Sequence, residues 1–405
     1  MDVIISIIKG IVSLLINPIF YLLLIGLVAF GVQRVRRERR SFGLKVYGMF
    51  NTIFSSIGAS LVIALLSAIF FLGLHIRLTP GMLVLMSCTY LLIMLTRQLR
   101  FLSPSIGIGL AIVIAYVLPD VNTPYLFLNQ WIQDIRTTSL PDFGLFFLFS
   151  LAIEWLLVMI RGDEHTSPRL INSHRGKKVG AHEASHMWIV PLIFFIPMSQ
   201  SHATFHFWPF VPGESFGLLI FPLGIGYQQL ISDRLPRQAI QSSSAWLFLT
   251  GLLCGISVIL ANIFHLPILV AIAGLLSFVS RLGLILVHHL LHRYGSYYFT
   301  EPSDGLRVVD VIPHSLADRM DVQIGEIIYR VNGKDVHSEY AFYQALQINS
   351  AYCKLEVIDQ TGESRFVKGA IHEKDDHKIG FLFLEPNKRK QYMDQKEKSQ
   401  SPANA

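Results

Sequence analysis

Charged residues are scarce in this chain of 405 residues: they make up 15% of it, whereas soluble globular proteins average about 25%. The deficit lies almost entirely before residue 295, where long apolar runs recur. Runs of about 18 or more apolar residues are long enough to cross a bilayer as a helix. The composition therefore excludes a wholly soluble protein and predicts an α-helical polytopic membrane domain over residues 1–292, followed by a soluble domain.

Cysteine is also rare, and Cys88, Cys254 and Cys353 lie far apart. Three distant thiols form neither a disulfide framework nor a metal-binding spacing. The sequence contains no Walker motif and no GxSxG motif, which excludes P-loop nucleotide hydrolases and hydrolases with a nucleophile elbow. We therefore expect no cofactor.

Nine apolar segments predict about nine membrane spans. They cover residues 11–33, 54–76, 81–96, 101–118, 143–160, 187–205, 215–231, 245–263 and 267–290. The first run begins near Val3 and is interrupted by Asn17-Pro18, so that its first part is compatible with a helix lying flat on the membrane surface.

The basic residues between these segments predict their sidedness. If the chain changes sides at every span, the loops of one side hold fifteen lysines and arginines, whereas those of the other hold Arg77 and Arg136. Short basic loops stay in the cytoplasm, so the first side and everything after about residue 291 are predicted to be cytoplasmic. The net charge of +6 is thus a topology signal, and we expect no nucleic-acid partner.

Two ionisable residues, Glu154 and Arg281, lie in the middle of predicted spans. An ionised group at that depth costs at least about 2.5–3.5 kcal/mol and needs a partner or a water-filled cavity. One interpretation is a single ion pair that fixes the packing of two helices. The other is a transport path or a buried catalytic pair. The sequence shows no internal repeat of the kind that transporters carry, which favours the structural pair.

Residues His182, Glu183 and His186 form an HExxH motif. On a helix this spacing lets two histidines bind zinc while the glutamate acts as general base, so a zinc-dependent intramembrane protease of the site-2 type is an alternative. A basic loop precedes the motif, the later spans contain no aspartate that could be the third ligand, and Pro191 would disturb a helix beyond His186. We therefore expect the motif to flank the start of a span, without metal or enzymatic activity.

Beyond residue 293 the sequence changes to short alternating segments typical of an α+β domain. The expected order is a strand at 306–312, a short helix capped by Ser315, a strand ending at Val331, an Asn332-Gly333 turn, a helix at 338–347 and a strand pair at 354–358 and 365–370. Residues 387–405 form a charged tail that we expect to be disordered.

Residues Gly305 to Val336 resemble the circularly permuted PDZ domain of bacteria. The resemblance is carried by Pro313-His314-Ser315-Leu316-Ala317, Ile324-Gly325-Glu326-Ile327-Ile328 and Val331-Asn332-Gly333-Lys334. The sequence departs from the family at Met320-Asp321, where Ala-Gly is usual.

This resemblance implies a PDZ domain over residues 293–386, with a groove that takes up an extended peptide as an added strand. It implies that Ile379, Gly380, Phe381 and Leu382 form the loop that binds the peptide carboxylate; the other interpretation of these residues is a plain strand that closes the domain. Tyr340 and Tyr343 are then expected to line the groove.

The layout as a whole resembles the MinJ family, polytopic division-topology proteins of Firmicutes. The features that carry this are the apolar N-terminal run closed by RVRRERR, the basic loop SPRLINSHRGKKVGAHEASH before a tryptophan-containing segment, and the single C-terminal PDZ domain. The resemblance implies a non-enzymatic membrane adaptor, enriched at septa and poles, that bridges a DivIVA-like scaffold and the division inhibitor MinD. Other division proteins, membrane lipid and further copies of the chain are also expected partners.

Overall fold

The computed structural model describes residues 2–42, 46, 48–74, 76, 78–197, 216–349, 351–371 and 379–384. The first part contains the helices α1 (Asp2–Ile16), α2 (Pro18–Phe42), α3 (Met49–Gly73), α4 (Pro80–Leu95), α5 (Pro104–Val117), α6 (Leu126–Thr137) and α7 (Leu140–Arg161), with a 3-10 turn at Leu99–Phe101. Three strands follow, β1 (Ser167–Asn172), β2 (Lys178–Pro197) and β3 (Phe216–Ile231), and then the helices α8 (Pro236–Phe264) and α9 (Pro267–Tyr294).

The second part is a small α+β domain. Its elements are β4 (Leu306–Val311), α10 (Leu316–Arg319), β5 (Ile327–Val331), β6 (Lys334–Asp335), α11 (Glu339–Leu346), β7 (Tyr352–Ile358), β8 (Ser364–Ala370) and β9 (Phe381–Phe383).

Four of the helices, α2, α7, α8 and α9, are long and apolar enough to cross a membrane. The helices α4 and α5 and residues 60–71 of α3 are apolar but shorter. Small residues allow close helix packing: a Cβ atom on Gly109 of α5 would lie 2.8 Å from the carbonyl oxygen of Gly274 on α9. The described first part is thus a helical membrane domain, as the composition predicts.

The prediction of helical spans at 187–205 and 215–231 is wrong for the residues that the structure describes there. Residues up to 197 and from 216 onward form the antiparallel pair β2 and β3, in register from His182↔Ile231 to Pro197↔Phe216. An unbroken apolar run fits a buried strand as well as a helix, and Pro191 and Pro222 disfavour the helix. Residues 198–205 lie outside the described part.

Helices cover both outer edges of this hairpin. A strand edge in apolar surroundings needs partners for its backbone N–H groups. The backbone N–H of Ile193 in β2 donates to Ser67 Oγ of α3 over 3.1 Å, and that of Ile220 in β3 donates to Ser13 Oγ of α1 over 3.3 Å. The predicted interruption at Asn17 lies between α1 and α2, where its side chain accepts a hydrogen bond from the Ile19 N–H.

The C-terminal domain follows the predicted order of elements closely. Its strands are arranged β8-β7-β5-β4-β9, with β6 paired to β5. The final described strand, β9, pairs antiparallel with the first, β4, which is the permuted arrangement expected from the sequence. Where the family usually has glycine, Asp321 adopts a positive φ of 55°, and Asn332 and Gly333 form the expected turn with φ of 49° and 80°.

Candidate peptide groove and its junction with the membrane domain

The candidate groove lies between the edge strand β9 and the helix α11. Ser338 caps α11 by accepting a hydrogen bond from the Ala341 N–H over 3.1 Å. One turn along the helix, the Phe342 ring lies 5.7 Å from the Phe381 ring and 5.0 Å from the Phe383 ring. These contacts set the separation between α11 and β9, which form the two sides of the candidate groove.

The loop that leads into β9 requires glycine. Gly380 has φ of +105°, and a Cβ atom at this position would clash with the Ser315 side chain. The loop carbonyls are tied down, since Gly380 O accepts from the Ile312 N–H over 2.8 Å and Ile379 O accepts from the Ala317 N–H over 3.0 Å. The loop is thus held in a fixed conformation at the end of the groove.

The six residues expected in the groove lie in different environments. Ile379 and Phe381 belong to the buried core of the domain, whereas Leu382 packs on the opposite face. Tyr343 packs against the core, and its burial, followed by the charge of Glu339, raises the pKa of Tyr343 to about 12. Tyr340 is 66% exposed at the start of the same helix. Their role in binding a peptide stays a prediction.

Sequence reasoning missed Phe342, the α11 residue that contacts β9. Its signal is present in the sequence, because Phe342, Ala345 and Leu346 have the spacing of one helix face and all three are buried.

The PDZ-type domain is docked against the membrane domain through backbone and side-chain contacts. The Gly180 N–H of β2 donates to the carbonyl of Phe299 over 2.9 Å, and the Tyr298 N–H donates to the carbonyl of Ser232 over 2.8 Å. On the far side, Leu382 packs with Val46, and Phe42 at the end of α2 joins the same cluster. No local pattern in the sequence indicates this junction.

The HExxH residues belong to this junction. They lie on strand β2 and not on a helix, so His182 and His186 are separated by four strand residues, about 13 Å. His182 Nε2 donates to the Val309 carbonyl over 2.7 Å, and its Nδ1 accepts from the Thr166 hydroxyl at 3.1 Å. Burial lowers the pKa of His182 to about 4, so this ring is neutral.

The Glu183 carboxylate is also engaged in hydrogen bonds within the protein. Its carboxylate accepts hydrogen bonds from Arg37 over 2.6 Å, from Arg169 over 3.0 Å and from Gln228 over 2.7 Å. The described residues contain no group of three side chains placed to hold a metal ion. The alternative with His182 and His186 as zinc ligands and Glu183 as base therefore lacks its geometry, and the expectation that the motif flanks a helical span is wrong as well.

We expect the purified full-length protein to contain no stoichiometric zinc, because both nitrogens of His182 are engaged and the second histidine is about 13 Å away. Metal analysis of protein prepared without chelator measures this. A zinc content near one per chain that disappears in the double variant His182→Ala/His186→Ala would contradict the geometry.

Glu154 and Arg281 form the ion pair that the sequence favours. The closest nitrogen and oxygen are 3.4 Å apart, and both side chains are at most 3% exposed. Glu154 also accepts hydrogen bonds from the hydroxyls of Ser103 over 2.6 Å and Ser105 over 2.9 Å. The pair joins α7 to α9 and to the start of α5, which is the position of a packing contact.

Comparison with known proteins gives relatives along nearly the whole chain, although no family model matches it. The chain is 28% identical over 376 residues to the cell division topological determinant MinJ of Bacillus subtilis, covering 92% of this chain and 94% of the relative. It is 26% identical over 380 residues to a probable MinJ of Lacticaseibacillus paracasei, covering 92% and 98%.

Among solved structures, the PDZ domain of the SdrC-like protein from Listeria monocytogenes matches 21% of this chain and 93% of its own, at 18% identity and a TM-score of 0.18. The resemblance predicted from the sequence is confirmed by the two MinJ comparisons. With its helical membrane domain and its C-terminal domain of permuted PDZ topology, the chain is similar along nearly its whole length to proteins named as MinJ cell division topological determinants.

Proposed function

We propose that this protein is a membrane-anchored adaptor in the selection of the division site. The observation that carries the proposal is its similarity, over 92% of its length, to relatives that are named as cell division topological determinants. A PDZ-type domain adds a groove suited to an extended peptide and brings no catalytic group of its own. The adaptor therefore acts by holding other proteins at the membrane.

The proposed topology has several membrane spans and places the PDZ domain in the cytoplasm. Support comes from basic residues that lie close to the junction. Arg37 at the end of α2 and Arg169 in β1 both bind Glu183, and the neighbouring His182 contacts β4 of the PDZ-type domain. Because basic segments next to spans remain cytoplasmic, the docked domain belongs on that side.

The proposed partners are the ones that the MinJ resemblance implies, a DivIVA-like scaffold and MinD. The edge of β9 is the surface suited to receive a peptide, since in the described sheet β9 pairs with β4 alone. An extended segment of a partner would add to this edge through backbone hydrogen bonds, and the side chains on α11 would select its residues.

The substitution Gly380→Ala tests the groove. We expect it to abolish the capture of DivIVA-like and MinD partners from solubilised membranes, because φ of +105° and the Ser315 contact both exclude a Cβ atom there. The measurement is co-purification of these partners with the tagged full-length chain, together with the position of a fluorescent fusion in dividing cells.

Gly362→Ala is the matched control. Gly362 also has a positive φ, of 92°, but nothing lies within 4 Å of its Cβ position, in a turn between β7 and β8. The control is expected to retain its partners. Tyr340→Ala changes an exposed side chain that is predicted to line the groove and leaves the backbone undisturbed. This variant therefore separates a loss of binding from a loss of folding. If all three variants captured the partners as the wild type does, the groove would not be the surface that binds them.

A further inference from the structure

A polar cleft of about 200 Å³ lies beside the 3-10 turn, where several elements of the membrane domain end. Much of its lining is cationic, imidazole or amide in character, and is formed by Arg100, Arg169, Gln228, His288, His289 and His292. These side chains come from the α4–α5 connection, from β1, from β3 and from the last two turns of α9. Residues far apart in sequence therefore converge on one small space.

The cleft has an excess of positive charge. Its acidic residue, Glu183, is 3% exposed and is bound by two guanidinium groups, those of Arg37 and Arg169. Two guanidinium charges thus already compensate this one carboxylate, that of Arg169 in the lining and that of Arg37 from outside it, before Arg100 is counted. Arg100 is only partly exposed, and its Nε donates to Gln98 over 2.6 Å. An anion that enters the cleft meets uncompensated guanidinium charge and imidazole nitrogens.

The position of the cleft indicates where the anion comes from. His288, His289 and His292 belong to the C-terminal end of α9, a helix long enough to cross the membrane. Leu282, Leu286 and His289 are at i, i+4 and i+7 on this helix, so they share one face. Leu282 and Leu286 are exposed, at 37% and 56%. An apolar face of a membrane helix thus leads directly to the cleft.

We propose that this cleft binds a phosphate group, and that the anionic headgroup of a membrane phospholipid supplies it. Guanidinium groups bind phosphate oxygens with strong charge-assisted hydrogen bonds, and the exposed His289 provides a further donor. The acyl chains would then lie along the exposed leucines of α9. Basic pockets at helix ends on the cytoplasmic side are known to recognise lipid headgroups in this way.

The test compares lipid retention by the full-length protein in neutral detergent. The probes are phosphatidylglycerol, diacylglycerol with the same acyl chains but no phosphate, and inorganic phosphate alone, with bound lipid measured by native mass spectrometry. We expect about tenfold greater retention of phosphatidylglycerol than of diacylglycerol, the effect of one or two charge-assisted hydrogen bonds. In Arg100→Gln/His289→Gln this preference should fall to less than twofold.

Arg237→Gln is the matched control, because it removes the same charge from an exposed position at the start of α8, outside the cleft. It should retain the preference. His289→Gln alone, on an exposed side chain, provides a variant expected to fold normally, with a preference between those of the wild type and the double variant.

Equal retention of phosphatidylglycerol and diacylglycerol by the wild type would overturn the lipid source. If inorganic phosphate then raised the melting temperature of the wild type and not of the double variant, the phosphate site would stand with a soluble ligand. No response to either probe, or a double variant that binds like the wild type, would overturn the site itself.

Discussion

Replacing Arg281 with methionine is expected to lower the free energy of unfolding by about 3–5 kcal/mol. The reason is that Glu154 stays buried at 1% exposure and loses its cationic partner. The hydroxyls of Ser103 and Ser105 still donate to the carboxylate, but they cannot balance its charge. The measurement is thermal or denaturant unfolding of the full-length protein in detergent.

The companion variants separate the ion pair from simple loss of packing. Glu154→Gln keeps an acceptor for Ser103 and removes the charge, so the double variant Glu154→Gln/Arg281→Met contains no unpaired ion. We expect the double variant to recover most of the stability lost in Arg281→Met. Strictly additive losses would show that the two groups are not energetically coupled. Loss of a solute flux in Glu154→Gln with normal stability would favour the transport path instead.

This pair also shows what could be predicted from the sequence. A single acidic and a single basic residue at mid-span depth have few possible partners. Their positions in the apolar segments therefore favoured a contact between Glu154 and Arg281. The small domain was predictable for a related reason. Its turns carry local signals, such as Asn332-Gly333 and the cap at Ser315, and each signal fixes the limits of the next strand or helix.

The hairpin β2–β3 could not be predicted in the same way. Most described residues on both faces of these strands are buried, so the alternation that marks a surface strand is absent, and the apolar run has the length of a span. The serines that accept hydrogen bonds from its edges, Ser13 and Ser67, lie on helices more than a hundred residues away. Only the tertiary structure brings them together.

The HExxH residues illustrate a related limit. The motif has its chemical meaning on a helix, where four residues span one turn, and loses it on a strand. Here the same side chains serve the junction: His182 contacts Val309, and Glu183 joins Arg37 to Arg169. The chemistry of the motif thus depends on its secondary structure. No local sequence pattern indicates where the PDZ-type domain docks.

The stability of this junction is expected to fall as pH rises, because of Asp310 on β4. Its side chain is 1% exposed, Oδ1 accepts from the Val311 N–H over 2.8 Å, and Oδ2 has no hydrogen-bond partner among the residues that the structure describes. Burial raises the pKa of Asp310 to about 8; the Val311 N–H and Arg34 act to lower it, and Glu38 acts to raise it. His182, which bonds to the neighbouring Val309, is neutral in this range.

The direction of this pH dependence follows from the number of protons bound by the folded and the unfolded chain. An unfolded aspartate has a pKa of about 3.9, so between roughly pH 4 and 8 the folded protein holds a proton that the unfolded chain has released. Stability therefore decreases through this window, by up to about 1.4 kcal/mol per pH unit, and is constant above it as far as this group is concerned. Between about pH 5 and 7 the loss amounts to roughly 2–3 kcal/mol.

Asp310→Asn should remove this dependence, since an amide keeps an acceptor for the Val311 N–H and has no proton to lose. We expect the variant to be clearly more stable than the wild type near pH 8, with a much smaller difference near pH 5. Asp304→Asn, the same change on an exposed side chain before β4, is the control and should leave the pH profile as it is. Equal differences between Asp310→Asn and the wild type at both pH values would mean that Asp310 is ionised in the folded protein at both, which would contradict the raised pKa.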